Sequence, residues 1–358
     1  MTNVKLVNGL IRHIDRLGDY LHFPKQTATM PLFVRVRLLL PKQMSAIPTW
    51  IQGLLYIDIG AVVAFLLFGA AVFLIRTYLP KVGAVAWVTA KESILQPLFV
   101  ILTLVGIFAL FIFLLIPYNT LGDDIKLVIT QGIILVKLFA VFLAVWTASS
   151  TIADELEGKT ALMALSKPLG RTKFILGKYT GVMIAVTLLF LILGTFFLNT
   201  VSYKLVYDAR ESSKDIPAAM ECARAVYHVL PVLVLAYLET LILAAIAIAI
   251  STRLPLLPNL TLTLMIYLLG NLVPVIVQSA VGQNPMVMFV ANIVSMVLPC
   301  LDHFNMETAV MATTHISAAG IDTSVPWWYV IYAFGYAGLY CGAMLIVSLL
   351  LFEDRDLA

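Results

Sequence analysis

Seven apolar blocks divide this chain, at 53–75, 97–116, 129–149, 174–198, 229–250, 260–280 and 327–352. Five of them approach or exceed the roughly 20 apolar residues that cross a bilayer as an α-helix, and two more do so once a few internal polar groups are allowed. Backbone in lipid must satisfy its own hydrogen bonds, so the blocks predict helices rather than an open sheet. A further apolar run at 286–298 has only about 13 residues, which suits a re-entrant or interfacial helix better than a span. Between residues 84 and 96, Trp87, Val88 and Ile94 mix with Lys91 and Glu92; that pattern predicts a helix lying in the interface before the chain turns into the membrane. No internal repeat is visible.

Composition agrees with the pattern. Hydrophobic residues make up 61% of the 358 and charged ones 12%, and the mean hydropathy is +0.98, so a water-soluble fold is excluded. The net charge of +3 says little, but the Lys and Arg residues gather in the first 50 positions and in the 152–178 segment. That distribution sets topology and gives no reason to expect nucleic acid as a partner. The 152–178 segment holds Lys159, Lys167, Arg171, Lys173 and Lys178, whereas 281–327 holds no Lys or Arg, which puts the first inside and the second outside. Arg253 in the turn at 251–259 and Arg355 in the tail fit the inner side, and the parity of the spans places the 199–228 loop outside. By the same parity the basic N-terminal region lies outside, against the positive-inside tendency. Residues 1–80 show no secretory signal, since the first long apolar run begins near Gly53. Cys222, Cys300 and Cys341 have no metal-like spacing and read as packing residues.

The 152–181 segment (IADELEGKTALMALSKPLGRTKFILGKYTG) is charged and helix-prone, yet it is trapped between two apolar blocks. Asp154, Glu155 and Glu157 read as the first turn of a short helix, where carboxylates complement exposed N–H groups. Ile152, Leu156 and Met163 give that helix an apolar stripe, and Pro168 ends it. The bland reading is a solvated loop; the functional one is a rigid docking plug for a cytoplasmic partner. Gly158-Lys159-Thr160 is no phosphate loop: Ala153 stands where the first Gly is needed, and the acidic residues between would repel phosphate.

This order of residues resembles the coupling segment of ABC-2-type permeases, the membrane halves of ATP-driven exporters. Glu155, Glu157, Gly158, Lys159 and Thr160 carry its start, Lys167 and Pro168 its break, and Arg171, Gly177 and Lys178 its approach to the next span. Lys91-Glu92 resembles the helix that leads into the family's first span. Pro299, Asp302, Phe304 and Asn305 resemble an extracytoplasmic segment of the subgroup linked to copper-site maturation of nitrous oxide reductase. The resemblance covers about 86–353. It implies a six-helix permease domain at 86–358, with the 281–327 segment outside, preceded by an N-terminal extension at 1–85 with one additional span that departs from the six-helix pattern. It also implies two permease copies or paralogues docked on ABC ATPase subunits. In that arrangement Glu155, Glu157, Gly158, Thr160, Pro168, Arg171 and Lys178 couple to the ATPase, and Glu92 belongs to the lead-in helix. ATP and Mg²⁺ bind the partner, and this chain holds no cofactor.

Lys137 and Glu239 fall inside spans, roughly 12 to 15 Å below the outer boundary at 1.5 Å per residue. Intramembrane charges are costly and are usually paired or face an aqueous path, so the two form either a structural ion pair or part of a transport route. Asp58 lies near a helix end and can reach the interface. His303 and His315, with Asp302 and Glu307, match no standard metal site and read as surface residues. Trp327, Trp328 and Tyr329 read as an interfacial aromatic belt. Two rival classes stay open: a membrane-embedded enzyme, for which no cluster of catalytic groups stands out, and a secondary transporter, for which inverted repeats are expected.

Overall fold

The computed structural model describes residues 49–116, 124–157, 170–211, 217–278, 285–306 and 325–353. All of them belong to one compact unit, Thr49–Ala358. Nine α-helices follow in order among them: α1 Thr49–Tyr78, α2 Pro80–Leu95, α3 Pro97–Leu115, α4 Asp124–Glu157, α5 Arg171–Glu211, α6 Ala219–Ser251, α7 Leu256–Gln278, α8 Pro285–Val297 and α9 Trp327–Glu353. A 3-10 turn, Leu301–Phe304, lies between α8 and α9. Seven of the helices, all but α2 and α8, are long and apolar enough to cross a membrane. The chain is therefore an all-helical, multi-pass membrane protein.

Local chemistry sets several boundaries. Pro80 and Pro97 each stand in the first turn of their helix, where the missing N–H costs nothing. Gln96, held extended at ψ 138° before Pro97, separates α2 from α3, as expected for a residue preceding proline. The loop expected at 199–228 is mostly helix instead: α5 continues to Glu211 and α6 begins at Ala219. Charged residues end the contact with lipid there, but they do not end the helix. Lys204 and Asp208, one turn apart at 3.1 Å, hold the extension together.

Burial sorts the helices into two sets. α4, α5 and α6 bury most of their apolar windows, while α1, α3, α7 and α9 leave theirs largely exposed, as lipid-facing helices do. The three central helices approach closely because small residues line their contacts. Ala244, Ala245, Ala247 and Ala249 on α6 are all buried. Gly132 on α4 is covered by the Phe197 ring of α5, and Gly106 on α3 by Leu193; a Cβ at either place would enter the neighbouring side chain.

The two ends of the bundle are distinct. Phe174 stacks on Phe352 at 5.9 Å at the end where α4 stops and α5 starts; we call this the loop end. Trp327 Nε1 donates to Tyr227 Oη at 2.8 Å at the far end. A Cβ on Gly53 would stand 3.3 Å from the Cβ of Cys222, so α1 begins at the far end and runs towards the loop end.

Candidate functional site

At the loop end the first expectation needs correcting. Glu155 and Glu157 do not open a short helix; they lie on the last described turn of α4, a continuous helix of 34 residues. The N–H groups there are already bonded within the helix, so the proposed complement between carboxylates and a helix start does not apply. Gly158, Lys159, Thr160, Lys167 and Pro168 lie outside the described residues.

On the α5 side, Arg171 and Lys173 are exposed. Lys178 is not. It is 2% exposed, donates to the Thr151 carbonyl of α4 at 3.2 Å and lies 5.8 Å from the Phe174 ring centroid, where an ammonium gains from the ring face. Lys178 therefore ties α4 to α5 across the loop. Its ammonium faces α4 and the Phe174 ring rather than a docking surface, so it meets the loop end through the helices it joins.

α2 joins this assembly through glycine. On α5, a Cβ at Gly177 would stand 2.6 Å from the Cβ of Val85, and one at Gly181 would stand 2.6 Å from the Cβ of Thr89 and 2.7 Å from the Ala86 carbonyl oxygen. Only two glycines one turn apart let the helices come so close. The contact buries Val82, Ala86, Thr89, Ala90 and Ser93, leaving Lys91 and Glu92 exposed on another face of α2. The first three turns of α5 thus have α2 on one side and α4 on another.

Within the spans the structure brings Lys137 and Glu239 together: Lys137 Nζ lies 3.4 Å from Glu239 Oε2, with side chains 3% and 0% exposed. Asn271 of α7 donates to the other oxygen, Glu239 Oε1, at 3.0 Å. Three helices therefore meet on one carboxylate. A second polar layer joins the same helices nearer the loop end. Asn259 donates to Ser149 Oγ at 2.8 Å and to the Ala247 carbonyl at 2.9 Å, and Thr263 donates to Asn259 Oδ1 at 3.1 Å. The layers are 12 residues apart on both α4 and α7, or about 18 Å at 1.5 Å per residue.

Sequence reasoning missed the α7 half of this arrangement. The signal was present: Asn259, Thr263, Tyr267 and Asn271 recur every four residues in a mostly apolar span, which places them along one helix face. Each layer pins α7, a helix with little other burial, to the core. Asn259→Ala is expected to lower stability by about 1–2 kcal/mol, the range for interhelical hydrogen bonds in lipid. Thr261→Ala, whose hydroxyl bonds only within its own helix, should change it by less than about 0.5 kcal/mol. Thermal unfolding of both variants in detergent checks the contrast.

The remaining candidates separate. Asp58 is exposed and accepts a hydrogen bond from Asn199 at 3.0 Å. Cys222 and Cys341 are buried packing residues, but Cys300 is exposed, contrary to expectation, because it precedes a turn that directs its neighbours inward. His303 is exposed, whereas His315 and Glu307 lie outside the described residues. Among the described residues no group of three or more His, Cys, Asp or Glu side chains gathers as a metal site would. Trp327 and Tyr329 turn their polar atoms towards Tyr227 and His303 of the same chain. No family model matches this chain, and neither does any curated protein.

Proposed function

We propose that this chain is the permease subunit of an ATP-driven exporter of the ABC-2 type. Its core would be six spans with α1 added in front, working as a pair of permeases on two separate ATPase subunits in a bacterial inner membrane. The observation that carries the reading is the continuity at the loop end. The charged segment after Glu157 joins α4 to α5, and Lys178 and the Gly177–Gly181 contact bind α4, α5 and α2 at that point. A push on that segment reaches three helices at once. In this reading ATP and Mg²⁺ are held by the partner, which closes on ATP, and the chain converts closure into a rearrangement of its spans without covalent chemistry of its own.

The exposed cations Arg171 and Lys173, the carboxylate-rich end of α4 and Glu92 are the candidate contacts. Glu155→Ala with Glu157→Ala should leave membrane insertion and yield intact, since both residues follow the apolar part of α4, yet reduce ATPase association or its stimulation several-fold. Affinity purification from native membrane with identification of any co-purifying ATPase is the direct measurement. A double variant that retains wild-type association and hydrolysis would remove the coupling role, and the absence of any ATPase would remove the reading itself.

A second reading, a secondary transporter, draws on the Lys137–Glu239–Asn271 group, because a buried carboxylate shared by three helices is a place where a coupled ion can act. It predicts transport driven by an ion gradient in liposomes holding this chain alone. The ATP-driven reading predicts none.

A further inference from the structure

A shallow crevice opens at the loop end where α1, α2 and α5 meet, walled by Val72 and Arg76 of α1, Ala86 and Trp87 of α2 and Ile184 of α5. Its shape is set by a tight elbow. The Leu79 N–H donates to the Ile75 carbonyl at 3.0 Å and the Gly83 N–H to the Leu79 carbonyl at 2.7 Å, so the chain passes from α1 into α2 with little slack. Residue 83 must be small there, because a Cβ would stand 2.7 Å from the Arg76 Cα. The elbow lays the Arg76 guanidinium over the Trp87 ring, with Cζ 5.7 Å from the centroid, and the ring face steadies the cation. The guanidinium N–H donors lie in its own plane. Among the described residues no hydrogen bond or ion pair uses them.

The depth of the crevice follows from α1. Residues 59–75 carry no polar side chain, and that helix leaves its apolar window almost entirely exposed. Asp58 and Arg76 bracket the stretch about 27 Å apart at 1.5 Å per residue, close to the hydrocarbon thickness. Arg76 is therefore level with the lipid headgroups, and the apolar wall beside it faces acyl chains. A molecule in the crevice meets a guanidinium at one end and Val72 and Ile184 further in, which is the order of groups in a phospholipid. The charges near the opening favour an anion. Lys91 shares a face of α2 with Trp87, one turn on, and both are exposed. Of the acidic residues on these three helices, Asp58, Asp208 and Glu211 belong to the far end. The fourth, Glu92, stands about 7.5 Å past Trp87 along α2. The amine of a zwitterionic headgroup would add another cation to this group, so a lipid with net negative charge fits better.

We propose that the crevice binds one anionic phospholipid, its phosphate on the Arg76 guanidinium beside Trp87 and an acyl chain along Val72 and Ile184. A guanidinium can hold two phosphate oxygens at once. The proposal does not depend on the permease reading. The test uses the full chain in mild detergent, with phosphatidylglycerol and phosphatidylethanolamine of the same acyl chains added and the bound lipid counted by native mass spectrometry. One phosphatidylglycerol should be retained about tenfold more tightly than phosphatidylethanolamine. Arg76→Gln should abolish that preference, and Arg76→Lys, a point charge without the planar fork, should keep part of it. Arg253→Gln removes an exposed cation outside the crevice and should leave the preference unchanged. Val72→Phe fills the wall while keeping the cation; it should weaken retention of the lipid, so the site is tested even where Arg76→Gln lowers the yield. Inorganic phosphate at the concentration of the lipid should not displace it. The same preference in wild type and Arg76→Gln, or an equal loss in Arg253→Gln, would show diffuse attraction to a basic surface and overturn the proposal. Displacement by inorganic phosphate, with Val72→Phe without effect, would show an anion site that holds no acyl chain and overturn it as well.

Discussion

Lys137→Met is expected to lower the stability of the folded protein by about 3–5 kcal/mol, the usual cost of leaving one partner of a buried ion pair uncompensated. The reason is the site around Glu239, which is 0% exposed and has one oxygen facing Lys137 and the other bonded to Asn271. Without the ammonium, the carboxylate must stay charged in an apolar interior or take up a proton. Glu239→Gln alone leaves the mirror problem at Lys137. With both changed, Lys137→Met and Glu239→Gln, neither charge remains, and the Gln carbonyl oxygen still accepts the bond from Asn271. The double variant should therefore fall within about 1–2 kcal/mol of the wild type, since a buried pair replaced by neutral groups of similar volume is often close to neutral. Unfolding of all three variants in detergent forms a double-mutant cycle. A double variant no more stable than the worse single one would mean that the two charges do not compensate each other.

Gly181→Val is the second large effect expected. The new side chain would begin 2.7 Å from the Ala86 carbonyl oxygen, and a backbone atom inside a helix cannot rotate aside as a side chain can. α2 must move off α5, at a cost of about 1–3 kcal/mol for an overpacked contact. Ser93, buried in that contact, reports the displacement. A Ser93→Cys thiol should be protected in the parent protein and reactive in the Gly181→Val background. Gly335→Val is the control, because nothing lies within 4 Å of a Cβ at that position. If Ser93→Cys stays protected and stability is unchanged, α2 is not fixed to α5 by this close approach.

The sequence carried the spans well, because each apolar block of about 20 residues reports the one property lipid demands. It carried their ends poorly, and α4 and α5 show why. Hydropathy marks where a helix leaves lipid, whereas hydrogen bonding decides where it stops. α5 therefore passes through Lys204, Asp208 and Arg210 to Glu211, and α4 runs through Asp154 to Glu157. The Lys137–Glu239 pair could be read from depth alone, since two opposite charges in spans that run the same way had similar distances from one boundary. Asn271 and Asn259 could have been read from their spacing. The burial of Leu301 and Phe304 had no such signal, because two apolar residues around Asp302 and His303 form neither a block nor a periodic stripe.

The length of α5 has a mechanical meaning. Its 41 residues make a rod of about 60 Å at 1.5 Å per residue, roughly twice the hydrocarbon thickness. Contacts described above hold it along most of that length: Gly177, Lys178 and Gly181 about two to three turns from its start, then Leu193 against Gly106, Phe197 against Gly132 and Asn199 bonded to Asp58. A rod held at several points tilts as a unit with the helices it packs on, so a displacement taken up at its first turns is not confined to them. The Glu211 end lies about 18 Å beyond Asn199 at 1.5 Å per residue, so it carries any such tilt well past the Asp58 bond to α1.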